Sequence, residues 1–236
     1  MAELVTNVPS VALAVYAHPD DADVACGGTL ALWASRGCAV HLVVCTDGGR
    51  GTADPLVGPV ELAALRATEL AAAAEVVGLA SFRVLGAADG ELDERAGFRA
   101  ELVGLIRSVR PEVVLGHDPT AVFFGQDYFN HRDHRVAGWT LLDALSPSAV
   151  LPHYYPEAGP PHQVATVLLS ATLEPDVWVD ISQTVDRKVA AVECHRSQIA
   201  GGEGWAGTVV RRRAEEEGRR AGVRFAEGFR RLRLGG

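Results

Sequence analysis

The sequence predicts an α/β protein of Rossmann-like architecture, a mostly parallel twisted sheet with helices on both faces. Three observations carry this. Short β-branched runs alternate with stretches of helical periodicity, glycine or proline punctuates the joins, and three polar loops each directly follow an apolar run. In such sheets ligands bind beyond the carboxyl ends of the strands. The polar loops AHPDD, TDGGRGT and GHDP are therefore expected to share one rim.

Val11–Tyr16 is the first predicted strand. Asp23–Arg36 follows as a helix stopped by Gly37, and Ala39–Cys45 is a second strand. Pro59–Val77 has proline at its start, apolar residues at helical spacing and Gly78 at its end, so a long helix is expected there. Phe82–Leu85 reads as a short strand and Phe98–Val109 as a helix. Pro111 then ends that helix before the strand Glu112–Leu115. Val136–Leu145 is helical in pattern, Val164–Ser170 and Val177–Ile181 read as strands, and Thr184–Cys194 as a helix. No repeat, low-complexity linker or composition shift divides the chain, so its 236 residues are expected to form one domain, 1–236.

Composition narrows the function classes. Hydrophobic residues make up 48% and charged residues 22%, ordinary values for a globular chain, and no run reaches the roughly 20 apolar residues of a membrane span. A net charge of −8 argues against nucleic-acid binding. From Arg211 onward nine arginines face four glutamates, a local +5 read as a solvated helix face rather than a polyanion site. Cysteines 26, 38, 45 and 194 have apolar or glycine neighbours and no CxxC spacing, which suits reduced thiols in a cytoplasmic protein. MAELVTNVPS lacks the basic and apolar regions of a secretory signal. Whether copies assemble as a homo-oligomer is left open.

Two polar knots carry the chemistry. His18-Pro19-Asp20-Asp21 sits at a strand tip, and Asn130-His131-Arg132-Asp133-His134-Arg135 precedes a helix. His131 and His134 are three apart and share a face if that segment is helical. Together the knots supply imidazoles and carboxylates, the ligand types of a catalytic zinc site with one position left for water. Either aspartate alone could instead cap the following helix. TDGGRGT lacks the ending of a phosphate-binding P-loop and the dinucleotide spacing; it is read as a substrate-side loop carrying Arg50. His117 and Asp118, at a strand tip, are expected to orient a ligand. His41, His153 and His162 are expected to be structural, the tryptophans to lie in the core, and Trp205 to belong to a lid.

His18-Pro-Asp-Asp21 and His131-Arg-Asp-His134 resemble the two signature motifs of the PIG-L/LmbE-like zinc de-N-acetylases. That family includes deacetylases of N-acetylglucosaminyl-phosphatidylinositol, of mycothiol and bacillithiol precursors, and of glycopeptide antibiotics. Supporting similarity extends over TDGG, Arg66-x-x-Glu69, Asp180-Ile-Ser, Lys188, His195–Gln198 and Ala226-Glu-Gly-Phe229. The resemblance implies that His18, Asp21 and His134 bind one Zn²⁺, with Fe²⁺ able to occupy the same ligands. It implies Asp20 as general base, His131 as oxyanion stabiliser or proton donor to the leaving amine, and Asp133 as the residue orienting a histidine. Arg66 and Asp89 match sugar-contacting positions. Two departures stand out: Ala22 where the first motif commonly ends in glutamate, and Phe129 with Tyr128 beside it where some members carry a tyrosine. The implied activity is hydrolysis of the N-acetyl group of an N-acetylglucosamine-containing small molecule. The alternatives are an amidase for a larger N-acyl or thiol conjugate, and a catalytically silent sugar-binding protein.

Overall fold

The computed structural model describes residues 2–92, 97–199 and 204–235. Its main sheet has eight strands in the order β1-β9-β10-β8-β5-β2-β3-β4. These are β1 (Glu3–Leu4), β2 (Val11–Tyr16), β3 (Ala39–Thr46), β4 (Ser81–Ala87), β5 (Val113–His117), β8 (Thr166–Ser170), β9 (Val177–Asp180) and β10 (Ala226–Arg233). From β8 through β5, β2 and β3 to β4 every pairing is parallel. β10 alone runs antiparallel, wedged between β8 and β9. A two-stranded hairpin, β6 (Phe123–Phe124) with β7 (Tyr128–Phe129), stands apart.

β2 shows why the sheet is covered on both faces. Ala12, Ala14 and Tyr16 point into one apolar layer, and Leu13 and Val15 into the other. Alternation of period two thus divides one strand between two cores, which a continuous apolar run permits. The first layer also takes residues of α1 (Asp21–Ser35), α2 (Pro59–Val77), α5 (Val185–Cys194) and α6 (Trp205–Ala221). The second takes α3 (Phe98–Val109) and α4 (Arg132–Asp143). Gly138 lets α4 lie directly on the tip of β5: a Cβ there would sit 2.8 Å from the His117 carbonyl oxygen.

The helices α2 and α3 have the bounds expected from the sequence, and α5 differs by one residue at its start. α1 and α4 begin earlier than their apolar periodicity indicates, because their first turns are built from the polar knots themselves. The arginine-rich end is partly helix and partly sheet. α6 holds its first half, whereas β10 buries Ala226, Glu227 and Phe229 between two strands. Arg230, Arg231 and Arg233 hid that strand. Trp139 is half-exposed rather than core, and the lid expectation for Trp205 concerns a side chain outside the described residues.

α1 is broken at Cys26, whose φ of −143° and ψ of 18° are not helical. The break frees amides in mid-helix, and a carboxylate 199 positions away meets them. Glu227 accepts from the Gly28 and Thr29 amides at 3.0 and 2.7 Å and from the Thr29 hydroxyl at 2.5 Å. Lys188, 5% exposed, pairs with the same carboxylate at 2.5 Å. An anion on freed N–H groups is favoured by the helix dipole as well as by hydrogen bonding. Removing one partner of a buried, hydrogen-bonded ion pair leaves an uncompensated charge, at a cost of roughly 3–5 kcal/mol. Glu227→Gln is therefore expected to lower unfolding stability by about that amount in urea titration, and adding Lys188→Met to recover part of it.

Candidate metal centre

The site lies at the carboxyl ends of β2, β3 and β5, where the three polar loops were expected to meet. Its centre is the Asp21 carboxylate in the first turn of α1. His18 Nδ1 lies 3.1 Å from Asp21 Oδ2, His134 Nε2 lies 3.2 Å from Asp21 Oδ1, and the two ring nitrogens are 3.1 Å apart. Neither aspartate serves as a side-chain cap for α1. Asp20 turns to Arg66, while Asp21 accepts the His18 amide at 2.7 Å and faces both imidazoles.

These three donors have the chemistry and spacing of a metal ligand set. Two ligands at the usual zinc distances and a tetrahedral angle lie about 3.3 Å apart, close to all three separations. The outer nitrogens are held as well. His134 Nδ1 is 2.9 Å from Asn130 Oδ1, and Asn130 in turn donates to the Ala121 carbonyl. His18 Nε2 faces Asp89 Oδ1 at 3.2 Å and Asp133 Oδ2 at 3.6 Å. Carboxylates and amides behind a ligating histidine fix its tautomer and its orientation. His117 competes for the same carboxylate, with Nε2 3.3 Å from Asp21 Oδ2 and its ring stacked on His134. Its Nε2 lone pair, however, accepts the Ala17 amide at 3.2 Å.

Electrostatics match this arrangement. Burial opposes protonation of His18, but Asp21, Asp133 and Asp89 outweigh it and hold the pKa well above the ordinary imidazole value. Burial likewise opposes ionisation of Asp21, and the imidazoles of His134, His18 and His117 override it, keeping Asp21 well below the usual range. At His18 and Asp21 the paired charges outweigh the cost of burial. His117 goes the other way, pushed down to about 4 chiefly by burial. His131 is also lowered, first by burial and then by His18 and His134. His131 Nδ1 accepts the Asp133 amide at 3.2 Å, which leaves Nε2 as the N–H donor of a neutral ring.

The other expected residues are distributed around this centre. Asp133 is fully buried, accepts the Gly90 amide at 2.7 Å and faces His18. Asp89, 7% exposed, lies on the opposite flank of His18 Nε2. Arg50 is half-exposed on the glycine loop, bonded to the Asp89 carbonyl and to Glu91. Tyr128 is exposed on the β6–β7 hairpin, near Phe124. Arg66 is only 2% exposed. Asp118 accepts the hydroxyls of Thr120 and Thr172 and ties them into the loop. Sequence reading passed over Asn130, whose one signal was its position four residues before His134, and the buried contact of His195 with Asp23 at 2.8 Å.

The GlcNAc-PI de-N-acetylase model of the PIG-L family matches residues 13–145, which include both histidine motifs and the whole donor cluster. The chain belongs to the PIG-L family. Among its relatives is the diacetylchitobiose deacetylase of Thermococcus kodakarensis, 36% identical over 92% of this chain and 81% of that protein. A 1D-myo-inositol 2-acetamido-2-deoxy-alpha-D-glucopyranoside deacetylase of Saccharopolyspora erythraea is 30% identical over 79% of this chain and 82% of its own. The solved N,N'-diacetylchitobiose deacetylase of Pyrococcus horikoshii superposes with a TM-score of 0.86, at 29% identity, over 95% of this chain and 84% of that one. These PIG-L relatives are deacetylases of small molecules built on N-acetylated amino sugars. No helix among the described residues is long and apolar enough to cross a membrane.

Asn130→Ala is expected to weaken metal affinity 10–100-fold, the range for losing a partner behind a ligand, and His134→Ala to abolish stoichiometric binding. Competition with a chromophoric chelator measures both.

Proposed function

We propose that this chain is a zinc-dependent N-deacetylase that releases acetate from an N-acetylglucosamine-containing small molecule and leaves a free amine. The observation that carries the reading is the mutual approach of His18, Asp21 and His134 to 3.1–3.2 Å, with a second carboxylate, Asp20, next in sequence. Identity of 36% with a diacetylchitobiose deacetylase supports the amino-sugar substrate.

An amide is a poor electrophile and neutral water a poor nucleophile. A divalent ion held by these three ligands would supply Lewis acidity and lower the pKa of a coordinated water to about 7. Adjacent side chains diverge, so Asp21 is left to the ion while Asp20 takes the proton of the attacking water. That water's oxygen adds to the carbonyl carbon. His131, through Nε2–H, faces the oxygen on which negative charge develops; single donors of this kind are worth roughly 3–4 kcal/mol elsewhere. The C–N bond then breaks and the nitrogen leaves as amine with the proton first taken from water. Asp133 and Asp89 orient His18 from behind, and Arg50 and Tyr128 stand at the outer edge, where the rest of the sugar conjugate would pass. Cys26, Cys38 and Cys45 are buried and form no disulfide among the described residues, which suits a reducing, cytoplasmic setting.

Asp20→Asn is expected to keep its metal and to lose turnover by about 10²–10⁴, read by free-amine release alongside elemental analysis. Chelation should abolish activity and Zn²⁺ restore it. N-acetyl substrates should react while longer N-acyl glucosamines do not; preference for the longer chains would make the chain an amidase of larger conjugates.

A further inference from the structure

The arginines of β10 border a second concave region. Phe229 belongs to the first apolar layer and Leu232 packs against the second, so the period of two puts Arg231 and Arg233 on the first layer's side. At that edge the layer opens into a cavity of about 560 Å³, inside the range of roughly 300–1,000 Å³ that holds small molecules. Trp33, Val113 and Leu168 line it, with Val5 and Val8 from the segment joining β1 to β2. Val113 is the first residue of β5, whereas His117, beside the metal centre, is the last. Along α1, Trp33 stands roughly 18 Å from Asp21.

The charged groups on this lining are unevenly satisfied. Arg231 donates twice to Glu3, at 2.8 and 2.6 Å, and Arg233 reaches the same carboxylate only at 3.5 Å. Two guanidiniums on one carboxylate leave that side with a net +1. Glu112 accepts the Ser10 amide at 3.2 Å and has no cationic partner among the described residues. Arg233 is paired with Thr166, and Thr166 with Val113, so Arg233 and Glu112 rise from backbones two strand spacings apart, about 10 Å. The indole N–H of Trp33, a side chain 1% exposed, also has no hydrogen-bond partner among the described residues. Buried donors are satisfied as a rule, which leaves this one for an occupant of the cavity.

We infer that this cavity is a second ligand site, for a small zwitterion with an apolar side chain, of the class of the aliphatic α-amino acids. The ligand carboxylate meets Arg233 and the Trp33 N–H, the ammonium meets Glu112, and the side chain lies against Val8 and Leu168. A ligand of single charge suits the lining less well. With Glu3 and Glu112 set against Arg231 and Arg233 the lining is neutral overall, so such a ligand would be attracted from one side and repelled from the other. None of these residues belongs to the metal centre, so the site stands independently of the catalytic reading.

The test is a titration of the full-length protein with L-leucine, followed by calorimetry and by the indole N–H resonance of Trp33, assigned with Trp33→Phe. L-leucine is expected to bind with a Kd of about 1 mM or below and to move that resonance. Leucinamide lacks the carboxylate, isocaproate the ammonium and glycine the apolar side chain; each should bind about tenfold more weakly or worse. Glu112→Gln and Arg233→Gln, both at exposed positions, should each weaken L-leucine binding about tenfold. Turnover of N-acetylated sugars should stay within about twofold in both variants. Absence of saturable L-leucine binding at up to ~10 mM overturns the inference, as does binding indifferent to both substitutions. Equal affinity for leucinamide or isocaproate overturns the zwitterion and with it the ligand class. Loss of sugar turnover in either variant overturns the separation of this site from the catalytic rim.

Discussion

Charge compensation within a buried carboxylate cluster governs this molecule. Asp21, Asp89 and Asp133 surround one imidazole, His18, and two of the three are nearly or fully inaccessible. Burying several like charges is costly unless positive charge is built in among them. Here the compensation is divided. Imidazoles face Asp21, a guanidinium faces Asp20, and the backbone amide of Gly90 faces Asp133. His18, Asp21 and His134 bring two imidazole nitrogens and a carboxylate together at a spacing that suits a cation. The imidazoles facing Asp21 hold it ionised, as a cation ligand would need to be, and burial lowers His131.

The rear of the site is scaffold. The break at Cys26 shortens α1 to little more than a turn at its start, which holds Asp21 and Asp23 close to the tip of β2. Glu227 and Lys188 seal the break, and His195 holds Asp23. Tyr16 spans from Cys26 to Ser170 behind the same turn, at 3.1 and 2.8 Å. The late family-like residues Lys188, His195 and Glu227 thus bond to the first half of α1 or to one another. From its place between β8 and β9, the second residue of β10 reaches the middle of α1.

Around this rigid floor the rim is more open. The β6–β7 hairpin exposes Phe123, Tyr128 and Phe129 immediately before Asn130, so the element that orients His134 is continuous with an aromatic edge. The glycine loop forms the other edge and is tied to Asp89 through Arg50. The chemistry sits on strand tips and first helical turns, whereas these edges are loops. Loops of this kind tolerate change more readily than the elements that carry them.

Local pattern alone determined the parallel βαβ core, since period-two and period-3.6 apolar spacing with proline and glycine stops are properties of contiguous residues. It also determined which two knots carry the donors, because histidines and paired aspartates at strand tips are dense in ligand chemistry over few positions. Tertiary structure decided the rest. The antiparallel β10 was hidden because arginines stood where apolar alternation was sought. The lowered pKa of His131 depends on its burial and on the His18 ring from another loop, and the burial of Arg66 on the glycine loop and Asp20 that meet it. Asn130 and Glu227 are ordinary polar residues until the fold presents an imidazole to one and two freed amides to the other. Such roles are set by distance in space, and contiguous sequence encodes distance only along the chain.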